Sequence, residues 1–269
     1  MELKLGNMKL EQPVNERTRM SMILWGPSGC GKTTFAATAP GKKLLLMWDD
    51  NGSASLSHRD DCLVVPLYKE PQSSVEMFKT PNPMDLDKFL KEHPEVETVI
   101  FDSMTTFAER ALYHGVSKAQ GTAKGKSATI EDPGFAGYGN KNTWTHLAVS
   151  NLLAVTSKHD RHMIFIAHEA APDKDANGAV QSISILLGSS LSKEVPIKLS
   201  EVWAMTDTEK GRRIAIRPCR MRSPMKTRMF ETTGEPEFTL NYDYEKENPI
   251  EQWYLRWKAN GFRKISLPK

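Results

Sequence analysis

The stretch GPSGCGKTT at residues 26–34 constrains this chain most, because it matches the pattern G-x-x-x-x-G-K-[ST]. The apolar run Met20–Trp25 before it predicts a buried strand, and Thr34–Thr38 after it predicts the start of a helix. Between a strand and a helix, glycine-rich backbone turns its N–H groups inward around a phosphate, and the helix start adds partial positive charge. We therefore predict a nucleotide-binding loop that consists of Gly26, Pro27, Ser28, Gly29, Cys30, Gly31, Lys32, Thr33 and Thr34.

Two side chains of this loop have predicted roles beyond the backbone cradle. Lys32 is expected to reach the β- and γ-phosphates, and the Thr33 hydroxyl is expected to ligate Mg²⁺. Because this loop pattern is specific for nucleoside triphosphates, ATP and Mg²⁺ are the predicted cofactors.

The composition is typical of a globular protein in a reducing compartment. Of the 269 residues, 39% are hydrophobic and 26% are charged. No apolar run approaches the roughly 20 residues of a membrane span, and the first residues are too polar for a signal peptide. Three cysteines without CxxC spacing argue against a disulfide scaffold or a zinc site. We expect a cytoplasmic protein without a membrane partner.

Further apolar runs alternate with helical patterns along the chain. Lys43–Trp48, Thr98–Phe101 and Met163–Ala167 each predict a buried strand. Strands that alternate with helices predict an α/β fold, with a mostly parallel central sheet flanked by helices. We expect an N-terminal arm over residues 1–19 and a core over 20–230. Residues 231–269 form an acidic and aromatic extension that packs on the core or docks a partner.

Ligands of such sheets bind at the carboxyl ends of the strands, so the residues directly after the strands are candidates for chemistry. Asp102 closes the apolar strand TVIFD, which is the Walker B pattern. A carboxylate held rigidly in this position can bind Mg²⁺, and a capping role is the alternative. We predict that Thr33 and Asp102 form the metal site.

Polar residues after two other strands suggest the remaining parts of a hydrolytic site. Asp50 is the first candidate, and Asp49 the second, for the group that activates or orients water. Asp-Asp-Asn-Gly is equally good turn sequence, so a turn is the alternative. His168 follows the strand MIFIA, where a polar side chain could contact the γ-phosphate and sense its loss; the alternative is a surface histidine.

Basic residues cluster late in the chain. Lys210–Arg228 holds eight basic residues and no acidic one, whereas Glu231–Glu251 holds seven acidic residues and one basic one. Lys226 and Arg228 are candidates for cations that reach a neighbouring subunit's phosphates, for contacts to a nucleic-acid backbone, or for solvated surface residues. Phosphate contacts are favoured by the further cations of this block, which are Arg212, Arg213, Arg217, Arg220 and Arg222.

The order of these motifs resembles that of phage-encoded RecA-like ATPases associated with single-strand annealing and recombination. The similar segments are LLLMWDDNGSASL, TVIFDSMTTF, DPGFAGYGN, MIFIAHE and PMKTR, within roughly residues 20–230. The resemblance implies a RecA-like P-loop NTPase core. It also implies that Asp50 takes the position of the water-activating glutamate and His168 that of the polar sensor. Lys226 and Arg228 match the cations that complete a neighbour's ATP site.

The resemblance also implies partners. Gly115–Asn140 and Ala170–Gln181 correspond to the two loops that face single-stranded DNA in RecA-type filaments. Further implied partners are other copies of the chain, in a filament or ring with ATP at subunit interfaces, and a single-strand DNA-binding protein. If the chain is phage-encoded, it acts in the host cell cytoplasm.

The sequence thus predicts a Mg-dependent ATPase that binds single-stranded DNA and promotes recombination or single-strand annealing. Two other classes stay open. A nucleotide-dependent switch or loader would bind ATP with little hydrolysis, and the Asp in place of the usual Glu keeps this class open. A P-loop small-molecule kinase would transfer phosphate to an acceptor, and the long basic loops argue against its compact lid.

Overall fold

The computed structural model describes residues 4–5, 8–9, 19–50, 52–122, 127–188, 190–209, 211–243 and 246–268. The strands are β1 (Lys4–Leu5), β2 (Met8–Lys9), β3 (Ser21–Gly26), β4 (Lys42–Met47), β5 (Cys62–Pro66), β6 (Val96–Asp102), β7 (His162–His168), β8 (Asp173–Lys174), β9 (Val180–Ser182), β10 (Glu201–Thr208), β11 (Gly211–Ala215) and β12 (Glu237–Thr239). The α-helices are α1 (Lys32–Ala36), α2 (Pro71–Met77), α3 (Leu86–Glu92), α4 (Met104–Gln120), α5 (Gly134–Lys158), α6 (Leu191–Ile197) and α7 (Pro249–Ala259). Short 3₁₀ turns cover Gly52–Leu56, Leu67–Lys69 and Pro83–Asp85.

Eight strands form the central sheet, in the order β12-β11-β10-β3-β7-β6-β4-β5. The six strands from β10 to β5 run parallel, and β11 and β12 continue the sheet antiparallel to their neighbours. The prediction of a mostly parallel central sheet flanked by helices is therefore confirmed. Strand β7 lies between β3 and β6, so the P-loop, His168 and Asp102 follow or close three adjacent strands at one edge of the sheet.

Both faces of this sheet are buried, which explains why its strands are continuous apolar runs in the sequence. Successive residues of β3 alternate between the faces: Ile23 and Trp25 share a cluster with Phe107 of α4. Leu24 belongs to the opposite cluster, with Phe35 of α1. Among the described helices, none combines the length and the apolar character that crossing a membrane requires.

The prediction of one long loop over Gly115–Asn140 is wrong for half of its length, because α4 continues to Gln120 and α5 begins at Gly134. The glycines in this stretch permit helix packing instead. A Cβ placed on Gly115 would lie 3.0 Å from the Asn140 Cβ and 3.2 Å from the Gly137 carbonyl oxygen. A larger residue at this position would crowd the contact between α4 and α5, so glycine favours their close approach. The connection is limited to residues 121–133, and Lys124 and Lys126 lie outside the described residues.

The second expected loop, Ala170–Gln181, contains structure as well. Strands β8 and β9 pair in antiparallel fashion within it and form a small exposed hairpin. This hairpin directly follows β7 and its last residue, His168. Only four residues therefore connect the end of the central strand β7 to the hairpin.

The C-terminal extension packs on the core. Strand β12 pairs with β11, and the Trp253 ring of α7 lies 5.9 Å from Phe35 and 5.5 Å from both Phe230 and Phe238, measured between ring centroids. The backbone N–H of Glu251 donates a 3.0 Å hydrogen bond to the Thr38 carbonyl just beyond α1. The extension therefore supports the helix that follows the P-loop.

Candidate nucleotide-binding site

The P-loop connects β3 to α1 and takes a backbone path that requires glycine. Gly29 and Gly31 have φ angles of +77° and +91°, in the region that glycine occupies at least cost. A Cβ on Gly26 would lie 1.9 Å from the Met205 carbonyl oxygen, which is closer than any contact allows. The Cys30 Sγ also lies close to β10, 3.5 Å from the same Met205 carbonyl oxygen. Strand β10 therefore packs directly against the loop.

Lys32 lies over the loop that contains it. Its Nζ donates hydrogen bonds to the carbonyl oxygens of Gly26 at 3.0 Å and Pro27 at 2.5 Å. The side chain is only 5% exposed, so the ammonium group is confined to the cleft rather than free in solvent. The lysine therefore lies directly beside the glycine-rich backbone of the P-loop.

Thr33 and Asp102 come together although 69 positions separate them in the chain. The Thr33 hydroxyl donates a 2.6 Å hydrogen bond to Asp102 Oδ2. Burial is the main cause that raises the pKa of Asp102 to about 6; the nearby Asp49 carboxylate adds to the rise, and the Thr33 hydrogen bond opposes it. A hydroxyl and a carboxylate are the oxygen ligands that Mg²⁺ prefers, so this pair fits the metal and the glycine cradle fits a phosphate.

Of the two neighbouring aspartates after β4, Asp49 lines the cleft and Asp50 does not. Its side chain accepts a short hydrogen bond from the Thr106 hydroxyl and lies 4.0 Å from His168 Nε2. Burial acts to raise the pKa of Asp49, but hydrogen bonds from His168, Thr106 and Ser103 outweigh it and hold the pKa below its ordinary value. Asp50, the first candidate from sequence, is exposed and lies outside the lining of the cleft.

His168 ends β7 and lines the same cleft. Its backbone N–H donates a 2.9 Å hydrogen bond to the Thr105 hydroxyl, which fixes the strand end beside α4. The next residue, Glu169, forms a 2.9 Å ion pair with Arg222. The strand end is thereby tied to the basic block of the chain.

These groups line one open cleft of about 600 Å³. A cavity of this size lies within the usual range for small-molecule sites. It is lined by Ser28, Gly29, Gly31, Lys32, Thr33, Thr34, Asp49, Gly52, Ser55, Asp102, Ile166, His168 and Arg212.

Arg212 is a cleft residue whose place sequence reasoning missed, since the sequence indicated it only as one cation of a basic block. It lies on β11 opposite Asp207 of β10. Its guanidinium carbon is 2.9 Å from the position that a Cβ on Gly31 would occupy. The alternation in RRIAIR indicates a strand, but the pairing of that strand beside the P-loop is a long-range feature.

Lys226 and Arg228 do not belong to the cleft of their own chain. The Lys226 backbone exchanges two hydrogen bonds with Val202, near the start of β10, whereas the P-loop lies beyond the carboxyl end of β3. Lys226 Nζ donates a 3.2 Å hydrogen bond to the Ile197 carbonyl, and Arg228 is exposed. These cations therefore lie near the end of β10 that is opposite to the P-loop, outside the lining of the cleft.

The segment that carries these two cations is fixed by a buried carboxylate. Glu201 is fully buried and accepts hydrogen bonds from the backbone N–H groups of Arg228 at 2.9 Å and Met229 at 3.1 Å, and from Trp203 Nε1 at 2.9 Å. Burial raises the pKa of Glu201 to about 7, although these hydrogen bonds oppose the rise. The backbone of the segment is thus ordered while the Arg228 side chain stays exposed.

Comparison of the sequence with models of known protein families identifies the family to which this chain belongs. A family model described as an AAA domain matches residues 18–236. A search of curated proteins finds no match. Among solved structures, a KaiC-like protein of the hyperthermophilic archaeon Pyrococcus horikoshii is similar at 14% identity and a TM-score of 0.41, over 77% of this chain and 82% of that one. The RadB recombinase is similar at 14% identity and a TM-score of 0.40, over 76% and 83%. Likenesses this distant transfer no activity to this chain.

Proposed function

The chain belongs to the AAA domain family, and from that premise we propose that it binds Mg-ATP in the cleft and hydrolyses it. The observation that carries the proposal is the contact between Thr33 of the P-loop and Asp102 at the end of β6, 2.6 Å apart, beside Lys32. Phosphate cradle, cation and metal-ligand oxygens meet there in one place. These are the parts that phosphoryl transfer needs.

In this proposal each residue has a separate task. The N–H groups of the P-loop bind phosphate oxygens, and Lys32 moves from its own loop carbonyls to the β- and γ-phosphates. Thr33 and Asp102 hold Mg²⁺, which supplies neutralisation of the charge on the phosphates. His168 contacts the γ-phosphate and senses its loss.

We assign the water-orienting role to Asp49 rather than to Asp50. Asp49 lines the cleft and is held by Thr106 and His168, and its lowered pKa keeps it ionised at neutral pH. An ionised carboxylate can accept a hydrogen bond from water and later its proton. The exposed Asp50 lacks this placement.

Hydrolysis is proposed to require a second copy of the chain. Lys226 and Arg228 lie outside their own cleft, and Glu201 fixes the backbone at Arg228, which supports a role for both cations at the phosphates of a neighbour. A cation supplied in trans stabilises charge in the transition state of phosphoryl transfer. The assembly would be a filament or a ring with ATP at its interfaces.

The partner of this assembly is proposed to be single-stranded DNA. Phe135 is 97% exposed and Tyr138 is 52% exposed, both at the start of α5 and close to the exposed Ile130. Bases of a single strand stack on exposed aromatic rings, and basic residues bind its phosphates. We propose that the ATPase cycle promotes DNA recombination or single-strand annealing, together with a single-strand DNA-binding protein.

The ATPase proposal is tested by phosphate release from Mg-ATP with and without single-stranded DNA. Wild type is expected to turn over faster with DNA, and Lys32→Ala is expected to lose turnover. Equal phosphate release by Lys32→Ala would remove the cleft as the active site. Tight binding of ATP without any phosphate release would select the switch or loader class instead.

DNA binding is tested separately, by fluorescence anisotropy of a labelled oligothymidylate at low salt with a slowly hydrolysed ATP analogue. Phe135→Ala is expected to weaken binding by about 1–3 kcal/mol, the usual value of one base stacked on an aromatic ring. Leu255→Ala is the matched control, because Leu255 is a 54% exposed apolar residue on α7. Absence of DNA binding by wild type at low salt, with or without nucleotide, would contradict this half of the proposal.

A further inference from the structure

Arg212 differs from three other arginines of its block, which are Arg213, Arg220 and Arg222, in what surrounds its charge. Arg213 and Arg220 both pair with Glu237, at 3.0 Å and 2.7 Å, and Arg222 pairs with Glu169. Within the described part of the chain, no carboxylate lies within ion-pairing distance of the Arg212 guanidinium. A half-buried cation without a counter-ion, lining a cleft beside a phosphate cradle, indicates an anionic ligand.

The position of Arg212 on strand β11 determines which face of the sheet its side chain occupies. Residues alternate across β11, so Arg212 and Ile214 share one face while Arg213 points to the other. Ile214 is fully buried in the cluster that contains Phe35 of α1, so this face is the one on which the P-loop helix packs. Arg213 on the opposite face reaches Glu237.

The strand that carries Arg212 is also fixed relative to the P-loop. Strand β10 pairs with β3, and its Met205 carbonyl lies against Gly26, where no other residue could fit. Strand β11 pairs with β10 from Ala204 to Thr208, which brings Arg212 back over Gly31. The Arg212 carbonyl accepts a 2.7 Å hydrogen bond from Leu240 N–H, so its backbone is anchored on both sides.

We propose that Arg212 binds, from within the same chain, the α- and β-phosphates of the nucleotide held by the P-loop. The assignment to these phosphates follows from its place over Gly31, because the P-loop amides cradle the α- and β-phosphates while the lysine reaches further. The planar guanidinium can make two parallel hydrogen bonds to phosphate oxygens. This inference rests on the proposed function of the cleft. It adds that one copy of the chain binds nucleotide strongly without the cations of a neighbour.

The test is a titration of fluorescent ADP and ATP analogues at a protein concentration that sedimentation shows to be monomeric. Arg212→Ala is expected to bind both nucleotides about tenfold to hundredfold more weakly, the usual effect of losing a hydrogen bond to a charged group. Arg212→Lys is expected to recover part of the loss. Arg213→Ala, on the opposite face of the same strand, is the matched control and is expected to stay within about twofold of wild type.

The outcomes separate this inference from the proposed function. If wild type binds no nucleotide, the function proposed for the cleft is wrong. If wild type binds nucleotide and Arg212→Ala binds ADP and ATP as tightly as wild type does, the role proposed for Arg212 is wrong, whereas nucleotide binding by the cleft remains supported. Weaker binding of ATP alone would place the contact at the γ-phosphate and overturn the assignment. Thermal melting of each variant without nucleotide shows whether its fold is intact.

Discussion

The Thr33 hydroxyl donates a 2.6 Å hydrogen bond to the Asp102 carboxylate, which joins the start of the P-loop helix to the end of strand β6. The strands that lead to these residues are separated in the sheet by β7, which ends in His168. Three strand ends therefore form one site. Asp102 is 4% exposed and its pKa is raised to about 6 by burial, so its charge depends on pH near neutrality.

The first prediction concerns this pH dependence. Between about pH 4 and pH 6 the folded protein holds a proton on Asp102 that the unfolded chain has lost, so this group lowers the free energy of unfolding as pH rises through that window. Mg²⁺ requires the ionised carboxylate, so the gain in nucleotide affinity on adding Mg²⁺ should increase as pH rises through about 6.

The measurement is the ratio of ATP affinity with Mg²⁺ to ATP affinity with a chelator, between pH 5 and pH 8. Protonation of ATP itself is common to all variants, so Asp102→Asn is the control. Its ratio is expected to stay near one throughout. A ratio that rises identically in wild type and Asp102→Asn would rule out Asp102 as the titrating ligand.

The second prediction separates the two neighbouring aspartates. Asp49→Asn should lower the turnover of ATP about a hundredfold or more, since positioned general bases contribute about 10²–10⁴-fold. Its affinity for Mg-ATP should change by only a few fold. Asp50→Asn should keep nearly normal turnover, because Asp50 is exposed and outside the cleft lining. Steady-state kinetics of both variants decide, and the reverse pattern would restore Asp50 as the base.

The third prediction tests whether the active site is shared. Lys32→Ala has an inactive P-loop but intact Lys226 and Arg228, whereas the double variant Lys226→Ala/Arg228→Ala has the opposite defect. Each protein alone should release little phosphate. A mixture should recover a fraction of wild-type turnover, because the double variant supplies the cleft and the Lys32→Ala chain supplies the cations. If turnover of wild type is independent of protein concentration and the mixture stays inactive, the cations do not act in trans.

The fourth prediction concerns the support of the P-loop helix by the C-terminal extension. Trp253 is 6% exposed and contacts Phe35, Phe230 and Phe238, so Trp253→Ala should lower the free energy of unfolding by about 3–5 kcal/mol. Leu255→Ala on the exposed face of α7 should change it by less than about 0.5 kcal/mol. Urea unfolding of both variants measures the difference. A small effect of Trp253→Ala would mean that α7 is not part of the cooperative core.

The sequence predicts well those features that depend on neighbouring residues. The P-loop, the Walker B strand with Asp102 and the strand that ends in His168 each combine an apolar run with a polar end, and their convergence follows from the rule for parallel sheets. Gly115–Asn140 holds few bulky apolar residues and is predicted as a loop, yet its glycines let two helices approach closely.

Two features of the site depend on detail that a single sequence does not contain. Whether Asp49 or Asp50 enters the cleft depends on where the turn after β4 begins, and a shift of one residue reverses the direction of a side chain. The position of Arg212 depends on the pairing of β11 with β10 and of β10 with β3, which joins residues almost two hundred positions apart. Neither can be read from local periodicity.

One cleft per chain is proposed to bind a Mg-nucleotide through Lys32, Thr33 and Asp102. Isothermal titration calorimetry of ATP into wild type and Lys32→Ala at pH 7.5, with Mg²⁺ and with a chelator, measures this binding. We predict saturable binding of one nucleotide per wild-type chain, weaker binding without Mg²⁺, and no measurable binding by a folded Lys32→Ala variant. Equal binding by both proteins, or no binding by wild type, would contradict the account.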